Sequence, residues 1–429
     1  MSQAEPSSGP EDRIAFAGDG SGVAFRPEEL VVAGERALEL AARRFGVADD
    51  PEPVFPEQGL RGETQFYRLT TDVDPIATAL DLQDEGIVAQ PNHVVLSHCA
   101  GACTCPCPPH PAQRWAAGVA GSPMFGSPMF GSPMFGSPMF GSPMFGSARR
   151  RSSARPAPAP ASWPTATGTA ANGPRVAILD TGFADDSLRP AALSAVRADK
   201  AHWERPDEDG DAELDPAAGH GTFIAGIIER LAPGCDLLIE RVLSTYGDGD
   251  EVAIARRIDA LVGQVDVFNL SFGGYAVQQM RVLRAAVRRA QTAGAIVVAS
   301  AGNDATCRPS YPAALPGVIG VGAVGPDGPA PFTNFGPWVR ASAPGVDVVS
   351  SFFSSFQGPA QPPSPGGTDP DDFAEWAMWS GTSFAAPVVV AALARQLQGG
   401  ASPDVAVARV IDAPALLRIP DLGTIVNLQ

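Results

Sequence analysis

The chain has no long apolar run and comparatively few positive charges. No stretch approaches the roughly 18 consecutive apolar residues of a membrane-spanning helix, so the sequence predicts no membrane span. The first twelve residues are polar and acidic, without the basic and apolar regions of a secretion signal. We therefore expect a cytoplasmic protein, with export by another route or a start further upstream as the alternatives.

Negative charge dominates most of the sequence. Lys and Arg number 30 against 47 Asp and Glu, so the formal net charge of the 429 residues is −17. Residues 1–107 and 171–429 each carry −11, whereas residues 108–170 carry +5 and hold no acidic residue. The chain is longer than a single hydrophobic core usually accommodates. Together with this charge pattern, its length predicts two acidic domains joined by a basic connector. Acidic domains argue against nucleic-acid binding.

The connector combines a thiol-rich stretch with perfect repeats. Residues 98–110 hold four of the six cysteines and two histidines, which suits a soft metal. Their spacing is too tight for a standard zinc finger, so we favour an irregular thiol-bearing loop and keep metal binding as the alternative. Residues 121–145 are five copies of Gly-Ser-Pro-Met-Phe. A proline at every fifth residue excludes a continuous helix or interior strand, which indicates a flexible spacer.

Four polar residues stand at strand ends or helix starts of an alternating strand and helix pattern. Asp180 ends the apolar run Val-Ala-Ile-Leu-Asp, and Asn303 follows Ile-Val-Val-Ala-Ser-Ala-Gly. His220, in Gly-His-Gly-Thr, opens an apolar helix, and Ser383, in Gly-Thr-Ser-Phe-Ala-Ala-Pro, opens another. Each residue alone is more typical of a helix cap or a structural side chain. Because α/β folds place their sites at the carboxyl ends of the strands, the four together predict one site.

These residue types form a nucleophilic catalyst. A serine hydroxyl is a poor nucleophile until a neighbouring imidazole takes its proton. The imidazole in turn needs a carboxylate that fixes its tautomer. A side-chain amide and the N–H at a helix start are suitable donors to an oxyanion, and one such donor typically contributes about 3 kcal/mol to the transition state.

Together with Asn-Leu-Ser-Phe-Gly at residues 269–273, these motifs resemble the subtilisin-like serine peptidases over about residues 174–413. The resemblance implies that Ser383 is the nucleophile, His220 the general base and acid, and Asp180 the residue that orients His220. It implies that Asn303 donates to the oxyanion beside the backbone N–H of Ser383. It also implies a substrate-binding edge that pairs with polypeptide main chain, formed by Ser271, Phe272, Gly273, Ala301 and Gly302.

A smaller domain precedes the connector. Residues 22–97 read as strand, helix, strand, helix, strand, which predicts an α+β fold. Its closing segment, Ala-Gln-Pro-Asn-His-Val-Val-Leu at residues 89–96, resembles that of subtilisin propeptide inhibitor domains. The resemblance implies an intramolecular inhibitor and a zymogen; the alternative is an unrelated partner-binding domain. The predicted division is a disordered segment 1–21, this domain 22–97, the linker 98–172 and the peptidase domain 173–429.

The predicted fold class is α/β, a subtilisin-like parallel sheet with helices on both faces, plus the small α+β domain. The predicted function is a serine endopeptidase that works as a monomer through an acyl-enzyme, with no metal in the catalytic site and no required cofactor. The acidic loop 207–215 could hold calcium, although it lacks the twelve-residue ligand pattern. One alternative is a narrow processing peptidase that cuts its own Met-Phe repeats or a partner. Another is an interaction protein whose site is permanently plugged.

Overall fold

The structure is a computed structural model of the chain. It describes residues 14–17, 21–45, 51–55, 66–70, 74–97, 154–160, 173–276, 280–359 and 372–428. The predicted thiol-bearing loop and the five repeats lie outside these residues. Among the residues described, no helix has the length and apolarity that crossing a bilayer requires.

An antiparallel sheet and two helices form the N-terminal unit, residues 14–97. Its elements are β1 (Ala15–Phe16), β2 (Ala24–Ala33), α1 (Glu35–Phe45), β3 (Glu52–Pro53), β4 (Phe66–Thr70), α2 (Pro75–Asp84) and β5 (Ala89–Leu96). The long strand β2 pairs antiparallel with both β4 and β5. Helix α2 begins where the Asp74 side chain accepts a hydrogen bond from the Ile76 N–H and Pro75 occupies the first turn.

The first strand corrects the predicted disorder of residues 1–21. Ala15 and Phe16 pair with β2. The cause is local apolarity, because Ile14 is buried with Val94 and Leu96 of β5, and Phe16 packs against the same cluster. This N-terminal arm therefore covers one side of β5.

Strands alternate with helices in the C-terminal unit, residues 173–428, and the connector contributes β6. The strands are β6 (Arg155–Pro156), β7 (Arg175–Asp180), β8 (Phe183–Ala184), β9 (Trp203–Glu204), β10 (Asp236–Arg241), β11 (Asp248–Asp250), β12 (Val267–Leu270), β13 (Ile296–Ser300), β14 (Ile319–Gly325), β15 (Gly328–Pro329), β16 (Val339–Pro344), β17 (Val348–Ser351), β18 (Phe356–Gln357), β19 (Asp372–Phe373), β20 (Trp376–Trp379), β21 (Arg418–Ile419) and β22 (Gly423–Ile425). The helices are α3 (His220–Leu231), α4 (Glu251–Ala260), α5 (Arg281–Thr292), α6 (Thr382–Gln398) and α7 (Pro403–Val407), with short helical turns at Ala191–Leu193, Lys200–His202 and Ala408–Asp412.

A parallel sheet is the centre of this unit. In the part of the chain that the structure describes it has nine strands, in the order β10-β7-β12-β13-β14-β16-β22-β21, with β15 paired to β14. The pairs from β10 to β22 are parallel. Parallel neighbours need crossover connections, which the helices provide. The predicted α/β fold with a parallel sheet is confirmed.

Both faces of the sheet are buried. In β7, Val176 and Ile178 pack into the cluster that contains α3 and α6, whereas Ala177 and Leu179 pack into the cluster that contains α4 and α5. All four side chains are fully buried. Successive residues of a strand point to opposite faces, so this alternation places helices on both sides of the sheet, as predicted.

The two units share a sheet. Strand β11 of the C-terminal unit pairs antiparallel with β5, so it continues the N-terminal sheet in the order β11-β5-β2-β4-β3. Val31, Val54, Phe55 and Val95 of the N-terminal unit belong to the apolar cluster of α4 and α5. The N-terminal unit is therefore packed on the same face of the central sheet as these helices.

Residues 154–160 of the predicted linker 98–172 are described by the structure, and they include strand β6. Pro156 and Arg155 pair with Ala377 and Met378 of β20. Ala154 is buried in the larger core cluster, and its burial anchors this short strand.

Helix α5 starts later than the sequence predicts. The sequence pattern places its start at residue 277, whereas the helix begins at Arg281; residues 277–279 lie outside the described chain.

Candidate active site

The four residues predicted to form one site lie at element ends along the carboxyl edge of the sheet. Asp180 is the last residue of β7, and His220 is the first residue of α3. Ser383 is the second residue of α6, and Asn303 follows the end of β13 by three residues. Asp180, His220 and Ser383 are buried, and Asn303 is half-buried.

Asp180 and His220 form a short hydrogen bond. The distance between Asp180 Oδ1 and His220 Nδ1 is 2.7 Å. The backbone N–H of Thr181 donates to the same carboxylate oxygen at 2.8 Å. The imidazole packs against two aromatic rings that also contact each other, with centroid distances of 5.5 Å to Trp379 and 5.2 Å to Phe384. These contacts hold the orientation of the ring, which a general base needs.

Ser383 faces the strand that carries the predicted substrate-binding edge. Its hydroxyl donates to the carbonyl oxygen of Ser271 at 3.0 Å, and the hydroxyl oxygen lies 3.5 Å from the carbonyl oxygen of Ser97. The Ser271 hydroxyl donates to the carbonyl oxygen of Ser383 at 2.9 Å. A residue from the N-terminal unit, Ser97, therefore lies beside the hydroxyl that the sequence predicts to be the nucleophile.

The amide of Asn303 is fixed by the first residue of α6. Its Oδ1 accepts hydrogen bonds from the Thr382 N–H and the Thr382 hydroxyl, both at 2.9 Å. The Thr382 hydroxyl also accepts from the Gly302 N–H at 3.0 Å. A Cβ atom on Gly381 would lie 3.3 Å from Asn303 Nδ2. The oxygen end is thus anchored, and the Nδ2 donors are directed to the side of Gly381.

Main-chain hydrogen bonds hold the end of β5 between two edges of the C-terminal unit. Leu96 N–H donates to Gly273 O, and Gly273 N–H donates to Leu96 O, each at 2.9 Å. On the other side, β11 pairs with residues 94–96, and Ser97 N–H donates to Gly247 O at 2.7 Å. We call the gap between β11 and Gly273, which ends at Ser383, the cleft. The N-terminal unit fills the cleft with an extended chain.

The side chains of the other predicted substrate-binding residues are packed inside. Phe272 is fully buried in the apolar cluster that also contains Val95 of the cleft strand. Ala301 is fully buried in a smaller cluster with Phe335 and Leu422. At the cleft these residues can therefore contribute main-chain groups and the shape of the surface, not exposed side chains.

Three carboxylates of the acidic loop form a cluster. Oxygens of Asp207, Asp209 and Asp215 lie within 4.8 Å of one another, a donor set that suits calcium. Burial raises the pKa of Asp215 to about 6, although hydrogen bonds from the Thr245 hydroxyl and the Glu208 N–H act to lower it. Several of these oxygens already accept backbone N–H groups of the loop.

Two features of the site had no signal in the sequence. Strand β11 is a three-residue Asp-Gly-Asp segment, and only its position beside β5 identifies it as a wall of the cleft. Glu204 is fully buried behind the Asp180–His220 pair, and burial raises the pKa of its carboxyl to about 7. Glutamate in a two-residue strand has no recognisable local pattern.

The Subtilase family matches residues 171–413. The thermostable alkaline protease of Halalkalibacterium halodurans is 34% identical over 193 residues, which cover 42% of this chain and 50% of that protein. The intracellular serine protease of Paenibacillus polymyxa is 33% identical over 253 residues, 55% of this chain and 69% of that protein. Among solved structures, a cold-adapted subtilisin-like serine proteinase aligns at 24% identity and a TM-score of 0.46, covering 66% of this chain and 97% of that chain.

Proposed function

Since the chain belongs to the subtilase family, we propose that it is a serine endopeptidase with Ser383 as nucleophile. The observation that carries this proposal is the 2.7 Å hydrogen bond between Asp180 and His220 at the sheet edge where Ser383 opens α6. A buried carboxylate on one imidazole nitrogen leaves the other to accept the serine proton.

The reaction follows from these positions. The Ser383 oxygen attacks the scissile carbonyl carbon while its proton passes to His220. The negative charge moves to the carbonyl oxygen, where the N–H of Ser383 and Nδ2 of Asn303 donate hydrogen bonds. His220 then gives its proton to the leaving amine, and the acyl-enzyme remains. Water, deprotonated by His220, hydrolyses this ester and restores Ser383.

Substrate binding is main-chain pairing in the cleft. The hydrogen bonds between Leu96 and Gly273 and between Ser97 and Gly247 are those that any extended chain can make. Side-chain preference enters where Val95 packs into the buried cluster with Phe272. We therefore propose polypeptide substrates with an apolar residue at the position of Val95, and loose specificity elsewhere.

The N-terminal unit acts as an intramolecular inhibitor in this proposal. Its C-terminal end occupies the cleft, and two of its side chains cap the N-termini of two helices of the other unit. Gln90 Oε1 accepts from the Arg281 N–H at the start of α5, and Asn92 Oδ1 accepts from the Val252 N–H at the start of α4. First-turn N–H groups have no partner within their own helix, so these caps stabilise the docked state.

A buried carboxylate joins the two units at the same place. Glu251 Oε2 accepts a hydrogen bond from Gln90 at 2.7 Å and lies 2.8 Å from His93 Nδ1. Its other oxygen accepts the Val282 and Leu283 N–H groups at 2.9 and 3.0 Å. Both His93 and Glu251 are buried, so undocking exposes a carboxylate that has lost two of its four partners.

One experiment tests the enzyme and its two alternatives. The wild-type, Ser383→Ala and Ser194→Ala chains are compared by intact mass, by N-terminal analysis and by hydrolysis of a fluorogenic apolar peptide. Ser194 is exposed and serves as the matched serine control. We expect hydrolysis by the wild type and Ser194→Ala only.

The mass spectra separate the alternatives. Cleavage between residues 96 and 173 but outside the repeats 121–145, in the wild type and Ser194→Ala and not in Ser383→Ala, would establish an autoprocessing zymogen. Cleavage within the Met-Phe repeats alone would favour the narrow self-processing peptidase. An uncut wild type without hydrolysis would refute the peptidase proposal and favour the plugged interaction protein, which the occupied cleft otherwise also supports.

Three finer points belong to the same proposal. The carboxylates of Asp207, Asp209 and Asp215 would hold a calcium ion, which supplies stability and no chemistry. We place the protein in the cytoplasm, supported by the buried free thiol of Cys235 and by the name of the Paenibacillus polymyxa relative. It acts as a monomer. Cell fractionation and light scattering test the last two points.

A further inference from the structure

A fully buried carboxylate, that of Glu204, lies directly behind the Asp180–His220 pair. Glu204 belongs to β9, which pairs parallel with β8 in the register Ala184 opposite Glu204. Strand β8 follows Asp180 after only two residues, so β9 is the next layer behind the dyad. Burying a carboxyl group is costly unless hydrogen bonds satisfy it, so its partners indicate its role.

On one side these partners flank His220. The Gly219 N–H donates to Glu204 Oε2 at 3.2 Å, and the Thr222 hydroxyl donates to Oε1 at 3.1 Å. Gly219 has a positive φ of 79° as the residue before the helix, a conformation that favours glycine. One carboxylate therefore holds the backbone on the N-terminal side of His220 and a side chain on its C-terminal side.

On the other side the partner belongs to the Asp180 strand. The Thr181 side chain forms a hydrogen bond with Glu204, and its oxygen accepts the Gly221 N–H at 3.1 Å. The Thr181 N–H donates to Asp180 Oδ1. Glu204 is thus connected to the loop around His220 directly and to the Asp180 turn through one residue.

We propose that Glu204 is a positioning residue that holds the Asp180 turn and the start of α3 at the separation the Asp180–His220 hydrogen bond requires. This inference rests on the proposed peptidase function. Its physical basis is that a carboxylate can accept three hydrogen bonds from donors on two different elements, whereas a neutral side chain of the same shape cannot. Misplacement of a catalytic group by about 1 Å can lower a rate roughly a hundredfold.

The protonation state of Glu204 gives this role a pH signature. Burial raises the pKa of its carboxyl to about 7, the Asp180 charge adds to the rise, and the hydrogen bonds from Thr181, Gly219 and Thr222 oppose it. Asp180 in β7 is the charged group that acts on it; the elements around it also carry His220 and Glu229 in α3, Glu240 in β10 and His202 directly before β9. Arg241 in β10 pairs with Glu208. Below about pH 7 the protonated carboxyl accepts fewer hydrogen bonds, so we expect His220 to be less well held.

The test compares Glu204→Gln with Glu229→Gln. Glu229 is a buried glutamate near the other end of α3 whose pKa is also raised by burial, so it is a matched control. We expect Glu204→Gln to lower kcat about 10- to 100-fold with KM within about twofold, because the cleft residues are untouched. Below about pH 6 the acid limb of log kcat/KM should approach a slope of two in the wild type and in Glu229→Gln, and of one in Glu204→Gln.

A second pair of variants covers the case in which Glu204→Gln does not fold. Thr222→Val removes one donor to Glu204, and Thr222→Ser keeps it. We expect Thr222→Val to lower kcat and Thr222→Ser to restore it. Unchanged kcat and unchanged acid limbs in Glu204→Gln and Thr222→Val would overturn the proposal.

A spectroscopic measurement separates this inference from the proposed function. In the Ser383→Ala chain, the proton between Asp180 and His220 gives a downfield NMR resonance. We expect Glu204→Gln to broaden this signal through faster exchange with water, and Glu229→Gln to leave it sharp. A wild type without peptidase activity would refute the enzyme alone, and the resonance would still decide the role of Glu204. An equally sharp signal in Glu204→Gln would refute that role.

Discussion

Truncation of Phe55 is expected to release the N-terminal unit from the cleft without altering either edge of the cleft. Phe55 belongs to the N-terminal unit but is buried in the cluster of α4 and α5. The Arg289 guanidinium carbon of α5 lies 3.9 Å from the centre of its ring. Burial of the ring is worth about 1.5–3 kcal/mol and the cation–π contact about 0.5–2 kcal/mol.

We take about 3 kcal/mol as the loss in docking free energy for Phe55→Ala, which is a factor of roughly a hundred in the docking equilibrium. The assay is native-state hydrogen exchange on the uncut Ser383→Ala chain. The Gly273 N–H donates to Leu96 O of the docked unit, so its protection reports docking. We expect its exchange to accelerate roughly a hundredfold in the Phe55→Ala background.

Two internal references and one control variant complete the experiment. The Val298 amide in the central strand β13 reports global unfolding, and the Leu69 amide in β4 reports unfolding of the N-terminal unit itself. Leu80→Ala, at a largely exposed leucine of α2, is the control and should leave Gly273 protected. If Phe55→Ala changes the exchange of Gly273 less than about threefold while Leu69 stays protected, the assigned docking energy is wrong.

Three further predictions concern the candidate site. Asn303→Ala should lower kcat by roughly 10²–10³ with little change in KM, since its amide donates only to the transition state; a larger effect on KM in steady-state kinetics would contradict this role. The raised pKa of Glu204 means that its contribution to stability is present below pH 4.5 and is lost as the pH rises to about 7. The loss amounts to about 3 kcal/mol at most. In denaturant titrations of the Ser383→Ala chain, we therefore expect Glu204→Gln to raise the free energy of unfolding more at pH 8 than at pH 5. An equal effect of the substitution at both pH values would exclude a raised pKa. Calcium at a hundredfold excess over its Kd should stabilise the protein by about 2.7 kcal/mol, seen as a higher Tm, and Asp209→Asn should reduce that gain; an unchanged Tm with calcium would remove the site.

The alternating pattern and the motifs predicted much of the fold. The strand before Asp180, the helix that His220 opens and the helix that Ser383 enters are where the sequence places them. These features are encoded locally, because apolar runs, glycine turns and helix starts depend on neighbouring residues. The sequence pattern does not predict strands β16, β17 and β20, since four to six residues are too few to show a clear periodicity.

The connector shows the opposite case. Its composition predicts a spacer, yet Ala154 is buried and Arg155 pairs with β20. Composition describes what a segment does alone, whereas docking depends on an exposed strand edge more than 200 residues further along the chain. The same reason explains β1, whose two residues are ordered by β2 and β5.

The sequence by itself predicted the candidate site of this protein: a serine, a histidine, a carboxylate and an amide at strand ends or helix starts of an α/β pattern, because each motif specifies its own turn or helix start. Only the tertiary structure decided what surrounds them. The partners of Glu204 lie 15 and 18 residues away, and Gln90 reaches Glu251 across 161 residues. Burial sets the pKa of Glu204, and antiparallel pairing brings β5 into the cleft. Both depend on contacts between distant segments, which no local pattern encodes.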